Sequence, residues 1–173
     1  MDQGKNFPQF ENVLEIWKEN IKSSFDLDYD VIVAHSFGCH FTLLNREKIK
    51  GKKIILVNPV VIKRNIFVLL WQWIKLRLKE DMPSGHRRII NPLKIIRGMK
   101  KALIFSRANT LSLLEEINNI DIVIIRGKND LFFCDEKSAE FLRKIKIKLM
   151  EIDNVGHFWN EKIDEEIKKI IGK

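Results

Sequence analysis

Apolar residues along the chain form short runs that are typical of strands. Each run is rich in β-branched residues, and the first three are continuously apolar, as parallel strands covered on both faces require. The fourth run alternates more and fits an edge strand. The predicted strands cover residues 29–34, 53–57, 121–126 and 145–152.

Between these runs the apolar residues recur at helical spacing. The predicted helices cover residues 10–23, 37–47, 138–144 and 161–171. Strands that alternate with helices predict an α/β fold with a parallel, doubly wound sheet of about four strands. The 173 residues, 45% of them hydrophobic, can bury one sizeable core, so we expect a single domain over residues 1–173.

One interval, between the second and third predicted strands, is far too long for a simple crossover. It therefore needs structure of its own, and it shows three stretches of helical periodicity with a Pro-Ser-Gly breaker after the first. We predict a helical cap inserted at about residues 61–119. The predicted cap helices cover residues 66–79, 92–105 and 110–117.

A serine lies where the first predicted strand turns into a helix. Residues 30–40 read D-V-I-V-A-H-S-F-G-C-H, so Ala34 and Gly38 stand two positions on either side of Ser36. Small residues suit these positions because the serine of a tight strand-to-helix turn has a strained backbone and close neighbours. The N-terminus of the following helix favours negative charge that develops beside the serine.

This segment resembles the nucleophile elbow G-x-S-x-G of the α/β-hydrolases, with Ala34 in place of the first glycine. Asp130 and His157 follow later predicted strands, in the chain order of that family. The resemblance implies a catalytic triad with Ser36 as nucleophile, His157 as base and Asp130 as the acid that orients the base. Each residue also has an alternative explanation when it is considered alone. The segment around Ser36 would be an ordinary turn, Asp130 would lie in a surface turn, and His157 would be a structural histidine.

The resemblance implies a serine hydrolase that cleaves a small-molecule carboxylic ester, thioester or amide through an acyl-enzyme. The cap would shape the pocket, and the backbone N–H of Phe37 would be one oxyanion donor. The alternative function is that of a catalytically impaired or non-catalytic protein of the same fold, which binds a small molecule, a membrane surface or a protein partner.

The chain departs from the family pattern before Ser36. No His-Gly signature and no earlier strand are apparent in the first 35 residues, so the second oxyanion donor has no candidate and the fold is expected to be N-terminally truncated. Residues 31–33 would then form an exposed sheet edge. Self-association, a separately encoded N-terminal piece or a misplaced gene start would each account for that edge.

The basic residues are concentrated in the middle of the chain. Residues 46–107 contain 17 Lys and Arg and 3 Asp and Glu, a formal charge of +14, whereas the whole chain carries +8. Such a block favours an anionic partner such as acidic lipid, an acidic substrate or nucleic acid. A coding bias toward lysine is the alternative explanation. Nucleic-acid binding ranks last, because no recognised motif accompanies the charge.

Aromatic residues of the cap suggest one anionic partner in particular. Trp71 and Trp73 lie two apart on a predicted helix and cannot share one face, so at least one should face the cleft or solvent. Packing in the core is one interpretation of these tryptophans. Together with the neighbouring basic residues they could instead rest on an anionic membrane surface or admit an acyl chain. Those basic residues are Lys63, Arg64, Lys75, Arg77 and Lys79.

The remaining features indicate a cytoplasmic protein without a metal or cofactor. No apolar run resembles a signal peptide near the N-terminus, and residues 66–78 are too short and too interrupted to span a bilayer. Cys39 and Cys134 are isolated and fit reduced thiols. His35 and His40 flank the serine and are expected to serve packing, and His86 is expected in a solvated loop.

Overall fold

The protein contains a parallel sheet of five strands. Its structure, a computed structural model, describes residues 13–16, 30–79, 106–117 and 120–172. The strands lie in chain order across the sheet, and each pairs in parallel with its neighbour. They are β1 (Val13–Ile16), β2 (Val31–His35), β3 (Lys53–Val57), β4 (Asp121–Gly127) and β5 (Lys148–Ile152).

Within the described residues, helices lie between these strands and after the last one. They are α1 (Phe37–Leu44), α2 (Ile66–Lys79), α3 (Thr110–Glu115), α4 (Glu136–Leu142) and α5 (Glu161–Ile171). Asp135 and Asn160 precede α4 and α5, and their side chains accept hydrogen bonds from the amides of Ser138 and Ile163. These caps satisfy N–H groups that a helix leaves unpaired at its start.

The strands bury alternate residues on the two faces of the sheet. Ile54 and Leu56 of β3 point into one cluster, which α1, α3 and α4 complete with Leu43, Leu114 and Leu142. Neighbouring strand residues point into a second cluster, which α5 closes with residues at helical spacing. The residues from α5 are Ile163, Ile167 and Ile170. Helices on both faces confirm the predicted doubly wound α/β architecture.

Strand β1 corrects two predictions. The helix over residues 10–23 is wrong at Val13–Ile16, and its remaining positions lie outside the described residues. Val13 is paired with Val31 and Ile16 with Ala34, so an earlier strand exists and β2 is not an exposed edge. The run V-L-E-I is too short to distinguish helix from strand by periodicity, and pairing with the free edge of β2 favours the strand.

The first part of the predicted cap is fastened to the sheet domain. Helix α2 has the predicted bounds, α3 covers most of the predicted third cap helix, and residues 92–105 lie outside the described residues. Arg64 donates to both carboxylate oxygens of Asp135 at 2.9 and 2.5 Å, and Gln72 of α2 donates to the same carboxylate at 3.1 Å. Among the described residues, no helix is both long enough and apolar enough to cross a bilayer.

Candidate active site

Ser36 occupies a strained turn between β2 and α1. Its φ of 56° and ψ of −122° lie outside the regions that non-glycine residues ordinarily adopt, a strain that costs on the order of 1–3 kcal/mol. The turn is held from both sides, because the Ser36 amide donates to the Val57 carbonyl at 2.8 Å and the Cys39 amide donates to the Ser36 carbonyl at 3.2 Å. A strained residue held in this way is typical of a functional site.

Three side chains from distant parts of the sequence meet at the carboxyl-terminal rim of the sheet. The Oγ atom of Ser36 lies 3.0 Å from Nε2 of His157, and Nδ1 of His157 lies 2.8 Å from Oδ2 of Asp130. The structure therefore brings together the three residues that the sequence analysis singled out. Their catalytic roles stay a prediction.

Asp130 is almost fully buried, with 1% of its surface exposed. Its Oδ1 accepts the Phe132 amide at 2.7 Å, and its Oδ2 accepts the Cys134 amide at 3.2 Å. Burial alone would raise the pKa of Asp130, but the charge and hydrogen bond of His157 and the two amides together lower it below its ordinary value. The ionised carboxylate keeps the proton of His157 on Nδ1, which leaves Nε2 to accept from the Ser36 hydroxyl.

The imidazole of His157 is enclosed by aromatic rings. Phe132 and Phe133 meet it edge to face, with ring centroids 5.4 and 5.5 Å away. Only 4% of His157 is exposed. Apolar walls exclude water and strengthen the electrostatic interaction between Asp130 and His157.

Asn58 is a residue at this rim that the sequence analysis missed. It is fully buried at the end of β3 with a φ of 44°. Its Nδ2 donates to the carbonyls of Gly156 and His157, both at 3.0 Å, and its Oδ1 accepts the Gly127 amide at 2.8 Å. One side chain thus joins the ends of β3 and β4 to the loop that carries His157. An asparagine directly after a buried strand was the only signal for it in the sequence.

His35 supports the same loop from the other side. Its Nε2 donates to the His157 carbonyl at 2.9 Å, and its ring packs against the His157 ring with centroids 5.3 Å apart. Burial lowers the pKa of His35 to about 3, so the ring is neutral at physiological pH. His35 therefore has the predicted packing role and, in addition, a hydrogen bond to the loop. His40 is half-buried, and burial also lowers its pKa; His86 lies outside the described residues.

Two backbone segments lie beside Ser36, where the predicted oxyanion donors would be: the start of α1 and the end of β1. Phe37 is the first residue of α1, so its backbone N–H belongs to the helix N-terminus beside the serine, where negative charge is favoured. Because β1 runs parallel to β2, the end of β1 at Ile16 lies level with Ala34 on the rim that carries Ser36. The residues that follow Ile16 lie outside the described residues, and Phe37 as a donor stays a prediction.

The two cysteine thiols of the chain are buried and weakly nucleophilic. Burial raises the pKa of the thiols of Cys39 and Cys134, so both resist forming the nucleophilic thiolate. Within the described ranges, no three or more His, Cys, Asp and Glu side chains are grouped to bind a metal ion.

Solved structures provide the comparison with known proteins. A 2-hydroxy-6-oxo-6-phenylhexa-2,4-dienoate hydrolase, BphD, from Rhodococcus sp. strain RHA1 is similar with a TM-score of 0.54 and 16% identity, over 82% of this chain and 63% of that one. A variant of the meta-cleavage product hydrolase CumD from Pseudomonas fluorescens IP01 is similar with a TM-score of 0.48 and 16% identity, over 81% of this chain and 62% of that one. MGS-MChE2, an α/β-hydrolase enzyme from a sediment metagenome of the lagoon of Mar Chica, Morocco, has a TM-score of 0.47 and 20% identity, over 82% of this chain and 58% of that one.

The parallel sheet and the similarity to BphD show that the chain has the α/β-hydrolase fold, as the elbow resemblance predicted. The chain spans about three fifths of the length of these hydrolases. No family model and no curated protein matches the sequence.

Proposed function

We propose that the protein is a serine hydrolase that cleaves a carboxylic ester, thioester or amide of a small molecule. The observation that carries this proposal is the unbroken hydrogen-bond relay from the Ser36 hydroxyl through His157 to the buried Asp130 carboxylate. The strained turn at Ser36 supports it, because strain of this kind is maintained where it positions a reacting group.

In the proposed mechanism, Ser36 Oγ attacks the acyl carbon while its proton passes to Nε2 of His157. The carbonyl electrons move to oxygen, and the helix N-terminus at Phe37 stabilises that negative charge. When the carbonyl re-forms, the bond to the leaving group breaks, and the leaving group takes the proton from His157. A water molecule activated by the same imidazole then attacks the acyl-enzyme, which releases the acid and restores Ser36.

Covalent labelling tests this proposal. A fluorophosphonate should modify the folded protein at one site, and mass spectrometry should map the adduct to Ser36, because only a hydroxyl activated by a base reacts readily with this probe. The heat-unfolded protein and the serines outside the relay, such as Ser112, provide the controls. A screen of p-nitrophenyl esters of rising chain length would then define the acyl group. A folded protein that takes no label would favour the non-catalytic alternative.

Replacing Asn58 with alanine should weaken both the fold and the reaction. The change leaves the Gly127 amide without its acceptor and removes a donor from two carbonyls of the His157 loop. We expect the free energy of unfolding to fall by about 1–3 kcal/mol. The ester hydrolysis rate should fall on the order of 10–100-fold as the imidazole loses its position. Urea unfolding and steady-state kinetics measure the two effects.

Asn45→Ala is the matched control for this change. Among the described residues, its side chain makes one hydrogen bond, from Nδ2 to the Phe41 carbonyl of α1 at 2.9 Å. It should cost about 1 kcal/mol of stability and leave the hydrolysis rate unchanged. Equal rates for Asn58→Ala and the wild type would contradict the positioning role of Asn58.

A further inference from the structure

Helix α2 carries large hydrophobic residues that are exposed. We call Phe67, Val68, Trp71 and Lys75 the outer face of α2. The first three are large hydrophobic residues with 75%, 45% and 58% of their surface exposed, and Trp71 confirms that a tryptophan of this helix faces solvent. Phe67, Trp71 and Lys75 follow one another at intervals of four residues, so they form one stripe along the helix.

The opposite side of α2 is already occupied. Leu69 is buried in a cluster with Phe37 and Phe133, two residues that flank the candidate active site. Gln72 is also buried, and it binds Asp135. A helix that is apolar on both sides normally needs a partner on each. In α2 the inner partner is the sheet domain, whereas the residues of the outer face are exposed.

The charge around the outer face indicates the kind of partner. No Asp or Glu occurs in the sequence between Glu47 and Glu80, a stretch that contains all of α2. Lys63 is exposed just before the helix. Lys75 holds its ammonium 5.5 Å from the centre of the Trp71 ring, so a cation sits beside the most amphipathic aromatic residue of the stripe.

We propose that the outer face of α2 docks on the surface of a membrane that contains anionic lipid. Phe67 and Trp71 would enter the boundary between headgroups and acyl chains, while Lys63 and Lys75 would contact the headgroup phosphates. A second copy of the chain is a poorer occupant, because pairing two outer faces would bring two acid-free basic segments together. The proposal does not depend on any reaction at Ser36.

Vesicle flotation tests the docking. The full chain should bind phosphatidylcholine vesicles that contain about one third phosphatidylserine at least tenfold more tightly than phosphatidylcholine alone. The double variant Phe67→Ser/Trp71→Ser should reduce binding to the anionic vesicles by tenfold or more. Lys75→Glu should reduce it by about 30-fold, since one favourable charge becomes an equally unfavourable one.

Matched variants elsewhere on the surface keep the result specific. Leu44→Ser removes another exposed hydrophobic residue, and Lys146→Glu reverses an exposed cation outside the basic block; neither should change vesicle binding. Ser36→Ala should bind as the wild type does, and the double variant should still take the fluorophosphonate label. These two results separate failure of the docking from failure of the proposed hydrolase.

Three outcomes would overturn the proposal. They are absence of binding to the anionic vesicles, binding that survives the double variant, and a dimer in size-exclusion chromatography that the double variant abolishes. The last outcome would assign the outer face to a second copy of the chain.

Discussion

Asparagine in place of Asp130 should lower the rate of the proposed ester hydrolysis by on the order of 10³–10⁴-fold while the protein stays folded. The carboxylate accepts at both oxygens: Oδ1 from the Phe132 amide at 2.7 Å, and Oδ2 from both His157 and the Cys134 amide. An asparagine side chain has one accepting oxygen and one donating nitrogen, so in either orientation a donor meets a donor.

The backbone decides which orientation results. The Phe132 amide makes the shorter of the two amide contacts, so the asparagine oxygen should remain at the Oδ1 position and the nitrogen should meet the longer Cys134 contact. The side-chain nitrogen then faces Nδ1 of His157 and forces the proton of the ring onto Nε2. In that tautomer the imidazole cannot accept the proton of Ser36.

Kinetics of Asp130→Asn beside Ser36→Ala, which provides the zero-activity reference, would measure this effect. Circular dichroism would check that the variant is folded, since the donor contact should cost about 1–3 kcal/mol of stability. Asp153→Asn is the matched control, because Asp153 is an exposed carboxylate that pairs with Lys128 at 2.8 Å. Near-normal activity of Asp130→Asn would show that the carboxylate does not orient the base.

Alanine at Gly127 is expected to have the second largest effect, because there is no room for a Cβ atom. Such an atom would lie 2.4 Å from the Val155 carbonyl oxygen and 2.6 Å from that of Gly156. Both obstacles are backbone atoms of the loop that leads into His157, so the loop must move rather than a flexible side chain. Movement would also disturb the hydrogen bond between the Gly127 amide and Asn58.

We expect Gly127→Ala to lower hydrolysis by about 100-fold or more, since a displacement near 1 Å has effects of that size. The free energy of unfolding should fall by about 1–3 kcal/mol, as for other overpacked sites. Gly51→Ala is the control: a Cβ there meets nothing within 4 Å, although its φ of 77° favours glycine. It should cost about 1–2 kcal/mol through the backbone alone and leave the rate unchanged. Normal kinetics of Gly127→Ala would contradict the tight packing.

The sequence by itself determined the elements whose signals are local. Strand β3 and helices α2 and α5 have the bounds that β-branched runs and helical spacing predicted. Their signal is local, because the pattern of apolar residues within one element reflects the geometry of that element. The three relay residues were also found without coordinates. Each follows a predicted strand, and the carboxyl ends of parallel strands meet at one rim. Their order along the chain resembles that of the α/β-hydrolases, and this resemblance singled them out as a set.

Only the tertiary structure decided the features that depend on distant partners. The segment Val13–Ile16 is a strand because the edge of β2 offers it unpaired backbone groups, which four residues of sequence cannot reveal. Asn58 supports the His157 loop through partners 69 to 99 positions away. Helix α2 carries apolar residues on both sides, so its sequence does not show which side is buried. Only packing against Phe37 and Phe133 shows that Leu69 is buried and Trp71 is exposed. Local physical chemistry sets the elements, whereas contacts between elements determine which of their residues form the site.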